Sequence, residues 1–443
     1  MRTILISSLF LLMMSFSAIT KAQTLHHDIS VYVNLERNSI DATDNIRIPD
    51  ELIKKQHDSL IFTLNADFLI TSTNMGNNFS IKEIRDLKKN SSKGVNEKKY
   101  YVSGTNKFSQ KYLVLKYTGI INGKISANPV DYARGFSETS GIISKDGIYL
   151  AGSTKWIPDF GVDLFTFNMN VKIDSAWGVI SQGTRTKIET VNDKKISYYD
   201  CPYPSDEVYL VAAKWKEYNK KTGDILVQAE LRKADTALAN KYIDATSKYL
   251  SLYNNLIGPY PYSKFTLVEN FWETGYGMPS FTLLGEQVIR LPFIINSSYP
   301  HELLHNYWGN SVYVDNEKGN WCEGLTVYLA DHLFKEQQGQ GAEYRRNTLM
   351  KFTDFVNEKN DFPVTMFRSR NNSAEEAIGY GKVMMIFEML RYDIGDDAFK
   401  KAISEFYKTY KFKMASFDDI RKSFESIDGI NYKPFFEQWV TRK

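Results

Sequence analysis

The stretch His301-Glu302-Leu303-Leu304-His305 reads as a turn of metal-binding helix. Residues four apart share one face of an α-helix, so both imidazoles reach a single ion. Glu302 projects about 100° away around the axis, which suits a base aimed at water better than a third ligand. Only six histidines occur in the chain, so their pairing in this pattern is not an accident of composition. Asn296, Ser297 and Ser298 offer N-caps, and Pro300 fits a first turn. Apolar residues run through Leu303, Leu304, Tyr307 and Trp308, and Gly309-Asn310 marks a stop.

Outward from this helix, Glu323 follows His305 by eighteen residues, inside Trp321-Cys322-Glu323-Gly324. Trp321, Leu325, Val327, Tyr328 and Leu329 make its helix apolar on several faces, where an unpaired carboxylate is costly; metal ligation removes that cost. Two imidazoles and a carboxylate form the donor set of a catalytic site for one zinc ion, with a position left for water. Zinc lowers the pKa of that water, and Glu302 accepts its proton as it attacks a carbonyl, then returns it to the leaving amine.

The rest of the chain divides into two patterns. From Gln23 to about Lys233, short runs rich in β-branched and aromatic residues (Ser30–Leu35, Ser59–Leu64, Tyr100–Ser103, Lys111–Tyr117, Thr166–Ile173, Asp224–Leu231) alternate with turns. This predicts an all-β domain, saddle- or sandwich-like, over residues 23–233. Residues 234–443 read as α+β. A helix over Asp235–Leu256 is followed by a strand at Phe265–Glu269, a loop at Gly275–Ser280 and a strand at Phe281–Leu284. Then come the motif helix, the Glu323 helix to about Gln337, and a helix over Asn347–Glu358. Ser373 and Glu376 form a capping box opening a helix through Leu390, and two or three more helices end the chain.

Composition bounds the functional classes. With 443 residues, 43% hydrophobic and 24% charged, the chain supports a multidomain globular protein. Residues 1–22 read as a secretory signal: Arg2, an apolar run from Ile4 to Met14, and Thr20-Lys21-Ala22 for cleavage. The expectation is export to a periplasm or the exterior; an uncleaved anchor is the lesser alternative. No later segment is apolar for long enough to span a bilayer. Without residues 1–22 there are 53 basic and 52 acidic residues, a balance that argues against a nucleic-acid partner. The run Lys88–Lys99 reads as a solvated loop. Cys201 and Cys322 could pair after export, but a buried free thiol is the expectation for Cys322.

Three blocks together resemble the aminopeptidase N (membrane alanyl aminopeptidase) family of gluzincin metallopeptidases. They are His-Glu-Leu-Leu-His-Asn-Tyr-Trp-Gly-Asn at 301–310, Glu-Gly-Leu-Thr-Val-Tyr-Leu at 323–329 and Tyr-Gly-Lys at 380–382. The resemblance implies an N-terminal β domain followed by a thermolysin-like catalytic domain, a peptide substrate, zinc on His301, His305 and Glu323, Glu302 as base, and Tyr380 as donor to the oxyanion.

Three departures qualify it. The loop from His305 to Glu323 is one residue shorter than the family's. The family's amine-binding Gly-x-Met-Glu-Asn corresponds to Tyr276-Gly277-Met278-Pro279-Ser280, so proline replaces the glutamate that pairs with a peptide's free N-terminus. Gly277 and Met278 remain candidate substrate contacts, with Glu269 or Glu273 as a stand-in carboxylate. Finally, family members usually continue into a helical domain beyond the point where this chain ends at Lys443; without it the cleft would be more open to longer substrates. The expectation is an aminopeptidase-like enzyme acting on short peptides. An endopeptidase, a hydrolase of epoxides or esters, and a zinc-holding peptide-binding protein stand as alternatives, with the intact Glu302 favouring an enzyme.

Overall fold

A computed structural model describes residues 24–56, 60–73, 80–84, 95–103, 112–127 and 137–443. The signal segment lies outside the described residues, as do residues 88–94 of the run read as a solvated loop; residues 97–99 of that run open the strand Glu97–Ser103. The N-terminal part is built on a seven-stranded sheet. Its order is Thr184–Val191, Lys194–Ser205, Phe165–Asp174, His26–Asn34, Ser39–Arg47, Tyr112–Ile120, Phe68–Thr73. All neighbours are antiparallel except His26–Asn34 with Phe165–Asp174. Strict alternation in the sequence explains its one-sided burial: Ile29, Val31 and Val33 point inward, as do Phe167, Met169 and Val171 across the parallel seam. Leu60, Phe62 and Val102 of a three-stranded sheet and Ile148, Leu150 and Leu210 of a four-stranded sheet complete the same core.

The second sheet has the order Lys216–Thr222, Ile225–Leu231, Lys264–Asn270, Phe281–Gly285, Gly275–Met278. The strand read over Asp224–Leu231 therefore pairs into this sheet, running parallel to Lys264–Asn270, and not into the N-terminal one. Local pattern identifies a strand but not its partner, which is set by packing far along the chain. The central strands Lys264–Asn270 and Phe281–Gly285 are buried along their whole length. The helix Thr236–Leu256, capped by Asp235 accepting from the Leu238 amide, covers the sheet with Ala239, Tyr242, Ile243 and Leu250 in the shared core.

Residues expected to form a loop at Gly275–Ser280 supply instead the edge strand Gly275–Met278, antiparallel to Phe281–Gly285. Two glycines in four residues hid it, since glycine weakens strand propensity. A turn through Ser280 (φ 68°) joins the two strands. Lys264 holds that turn from below, its ammonium donating to the Ser280 carbonyl and hydroxyl.

Helices make up most of the remainder, with one small parallel pair of strands, Val312–Val314 and Lys413–Ala415. The motif helix is Ser298–Leu304, shorter than the apolar run suggested. Beyond it the amides of Asn306 and Tyr307 bond three residues back, and Gly309 (φ 92°) turns the chain away. The Glu323 helix runs over 322–337 and the next over Gly341–Phe355, six residues ahead of the expected start. The helix over 373–394 is capped by Asn372, whose side chain accepts from the Glu375 amide; the capping box expected of Ser373 is not formed, because Ser373 already lies inside the first turn. Asp396–Tyr410 and Phe417–Asp428 close the core with Phe399, Phe406, Ile420 and Phe424.

Candidate active site

Leu303, Leu304, Tyr307 and Trp308 are fully buried and fix the motif helix, leaving the opposite face for His301, Glu302 and His305. One ligand atom from each of His301, His305 and Glu323 lies within 4.8 Å of the others, the single such convergence of His, Cys, Asp or Glu among the described residues. Glu323 Oε2 stands 3.7 Å from His301 Nε2 and 3.6 Å from His305 Nε2. Their side chains keep 14%, 13% and 23% exposure, so the three donors face a cavity and not the core. The shortened loop does not prevent Glu323 from reaching the histidines. These donors fit zinc: two neutral nitrogens and one carboxylate oxygen, converging from two helices with one side open.

Each donor is oriented from behind. His301 Nδ1 meets Asp331 Oδ2 at 2.7 Å, and His305 Nδ1 lies 3.2 Å from the Trp308 carbonyl. Such partners fix the tautomer that leaves Nε2 to the metal. Burial lowers the pKa of His301, but Asp331 and Glu323 overcome it and raise the imidazole well above its usual value. Burial also works against ionised Glu323, yet His305 and His301 and the Tyr380 hydroxyl bring its carboxyl down to about 2. Glu302, whose burial is only partly offset by the two histidines, is raised above the ordinary carboxyl range. Cys322 is a free thiol 3.4 Å from His305 Nδ1, pushed up by burial, and Cys201 is buried and free elsewhere.

Helix phase places Asp331. Eight residues at about 100° each would leave it about 80° off the Glu323 face. The helix widens to a π-turn over Tyr328–His332, absorbing one residue and bringing Asp331 back toward that face. A second π-turn, Ala377–Lys382, carries Tyr380. Gly324 lets the two helices meet: a Cβ there would lie 2.3 Å from the Val383 side chain. Burial followed by the charge of Glu323 pushes the Tyr380 hydroxyl well above 10.

Opposite the helices lies the edge strand. Gly275, Tyr276, Gly277 and Met278 line a cavity of about 1380 Å³ together with His301, Glu302, His305, Glu323 and Tyr380. A Cβ on Gly277 would come within 2.7 Å of the Glu302 carbonyl and 2.8 Å of the His305 Cβ, so the strand rests directly on the motif helix. Two asparagines in the motif block hold it there. Buried Asn306 accepts from the Ser280 amide (2.7 Å) and from Tyr260 (3.0 Å), and Asn310 donates to the Gly277 carbonyl (3.0 Å).

The proposed stand-ins for the missing glutamate are engaged elsewhere. Glu273 lines the cavity but accepts from the Gln287 and Val288 amides. Glu269 is fully buried, pairs with Arg290 at 2.6 Å and accepts from the Arg232 amide. Carboxylates do reach the cavity from the N-terminal part, namely Glu138, Asp163, Asp206 and Glu207. Glu207 accepts from Tyr209 and from the Gly152 amide, while crowding by protein and by Glu207 pushes Asp206 up to about 7. Sequence reading missed these residues, and Asp331 and the two asparagines with them. Only the polar breaks at 306 and 310 in an apolar run carried a signal; at regular helical spacing Asp331 falls off the Glu323 face.

Comparison with known proteins agrees with this geometry. Residues 294–439 match the Peptidase family M1 domain. The chain is 24% identical over 298 residues to the probable aminopeptidase 2 of Sulfurisphaera tokodaii, covering 62% of this chain and 38% of that one. It is 23% identical over 363 residues to the mitochondrial aminopeptidase 2 of Saccharomyces cerevisiae, covering 75% and 37%. The chain thus spans under two-fifths of the length of these curated relatives. Its fold superposes on an M1 zinc metallopeptidase of Deinococcus radiodurans, solved as a mutant with a Tyr-Ser-Ala substrate, with a TM-score of 0.70, 15% identity and 95% of each chain covered. The motif helix, the ligand helix and the tyrosine turn all lie inside residues 294–439, the stretch that matches the Peptidase family M1 domain, a likeness that supports the resemblance to the aminopeptidase N-like gluzincins.

Proposed function

We propose that this protein is an exported zinc metallopeptidase that removes residues from the amino ends of short peptides. The observation that carries this reading is the convergence of His301, His305 and Glu323 beside Glu302 and Tyr380 on one cavity. Zinc held by the three donors would supply a Lewis acid that polarises a substrate carbonyl and makes water acidic beside it. Glu302 takes the proton of the attacking water and hands it to the departing amine; its burial, which raises its proton affinity, suits both transfers. Tyr380 stays a neutral donor through burial and gives its hydrogen to the carbonyl oxygen as charge develops there. The edge strand is the last of its sheet and pairs with one strand alone among the described residues, which leaves an edge along which an extended peptide adds as a further strand.

The aminopeptidase assignment draws on the relatives' names and on the acidic wall of Glu138, Asp163, Asp206 and Glu207, whose combined negative field would draw in the ammonium group of a free N-terminus. Export draws on Arg2, the apolar run from Ile4 to Met14 and Thr20-Lys21-Ala22; no helix of the described residues is long and apolar enough to cross a membrane. The test uses one fluorogenic peptide with a free or an acetylated N-terminus, assayed with wild type and Glu302→Gln alongside metal analysis. The free form should be cleaved, with turnover reduced about 10²–10⁴-fold in E302Q at unchanged zinc content. Absence of zinc, or full activity in E302Q, would sink the metallopeptidase reading; cleavage of the acetylated form alone would sink the aminopeptidase one.

A further inference from the structure

Nine carboxylates line the cavity, and among its described lining residues Lys351 and Arg370 are the sole lysine and arginine. They stand together. Arg370 Nη1 lies 3.6 Å from Glu376 Oε2, Lys351 Nζ lies 3.5 Å from Glu376 Oε1, and the Arg370 guanidinium carbon sits 4.9 Å above the Tyr380 ring. Both ion-pair contacts are longer than the 2.7–2.9 Å of a tight charge-assisted hydrogen bond. Lys351 and Arg370 thus form a cationic patch in a cavity whose other wall, Glu138, Asp163, Asp206 and Glu207, is anionic.

We propose that the Arg370 cluster binds the α-carboxylate of the peptide, so that the substrates are di- and tripeptides with a free C-terminus held between an anionic and a cationic wall. This rests on the peptidase reading above and sharpens it. The phenol that would meet the scissile carbonyl carries the guanidinium on its ring face, 4.9 Å away. An extended residue advances about 3.3–3.6 Å, which puts the carboxylate one or two residues beyond the cleaved bond. Arginine's planar fork matches a carboxylate in two parallel hydrogen bonds, whereas Lys351, well exposed, contributes mostly field. An acidic side chain at the same position offers the same chemistry, and the experiment separates the two sources.

The test compares Ala-Ala-Ala, its C-terminal amide and the amide of Ala-Glu-Ala. Wild type should cleave the free acid about 10- to 100-fold more efficiently than the amide, mainly through KM. In Arg370→Gln that ratio should fall to near one, with Arg370→Lys in between. Any effect of the substitution transmitted through Tyr380 acts on acid and amide alike, so the ratio isolates the carboxylate contact. Equal efficiency for acid and amide in wild type, or an unchanged ratio in R370Q, overturns the proposal. Recovery of full efficiency by Ala-Glu-Ala amide overturns the terminal assignment in favour of an acidic side chain. Calorimetric binding of the same peptides to zinc-loaded Glu302→Gln reads the ratio without turnover. Failure of hydrolysis alone therefore counts against the peptidase reading, and failure of discrimination counts against this one.

Discussion

The two walls of the cleft are built on opposite plans. On the helical wall both imidazoles are held by a second group, His301 by Asp331 and His305 by the Trp308 carbonyl. On the strand wall the contact surface is main chain, from Gly275 to Met278, and its carboxylates come from another part of the chain. Reaction chemistry tolerates little positional error, so it is placed on buried helices. Recognition needs reach and charge, which an open strand edge and a distant loop supply.

Substitutions on the helical wall should therefore damage turnover, and those on the strand wall should damage binding and fold. The largest effect is the loss in Glu302→Gln already described. Next, Tyr380→Phe should lower kcat by about 10²–10³-fold, the worth of one donor at about 2.7–4 kcal/mol, with KM little changed; steady-state kinetics with unaltered kcat would remove Tyr380 from the chemistry. Asp331→Asn should weaken zinc retention about 10- to 100-fold, read by competition with a chelator; retention equal to wild type would reduce Asp331 to a bystander. Smallest, Gly277→Ala must push the strand off the motif helix. An overpacking cost of about 1–3 kcal/mol should appear as a lower Tm and a raised KM with metal content intact. A Gly277→Ala protein with unaltered KM would show that the strand is not where peptide lies.

The same contrast governs what the sequence disclosed. The convergence of His301 and His305 was legible because helical spacing converts directly into a shared face, and Glu323 stood out as a carboxylate at the start of an apolar helix. The alternating strands of the N-terminal sheet were legible for a similar reason: one face is buried and the other wet. The second sheet was harder. Its central strands are buried on both faces, so no alternation marks them, and Ile225–Leu231 was grouped with the wrong partners. The edge strand hid behind its glycines. Glu138, Asp206 and Arg370 meet the site only through tertiary packing, which no local spacing encodes, and the tasks considered for Glu269 and Glu273 failed because backbone amides and Arg290 already claim them.

The π-turns at Tyr328–His332 and Ala377–Lys382 give the site a property best described as phase slack. In a uniform helix the direction of a functional side chain is locked to that of the core-facing residues, because both follow one angular clock. An extra residue taken up in a wide turn uncouples the two. The apolar stripes of these helices can then drift in sequence without re-aiming Asp331 or Tyr380, whereas losing one residue from either turn would swing its functional group by about 100° while the core stays packed.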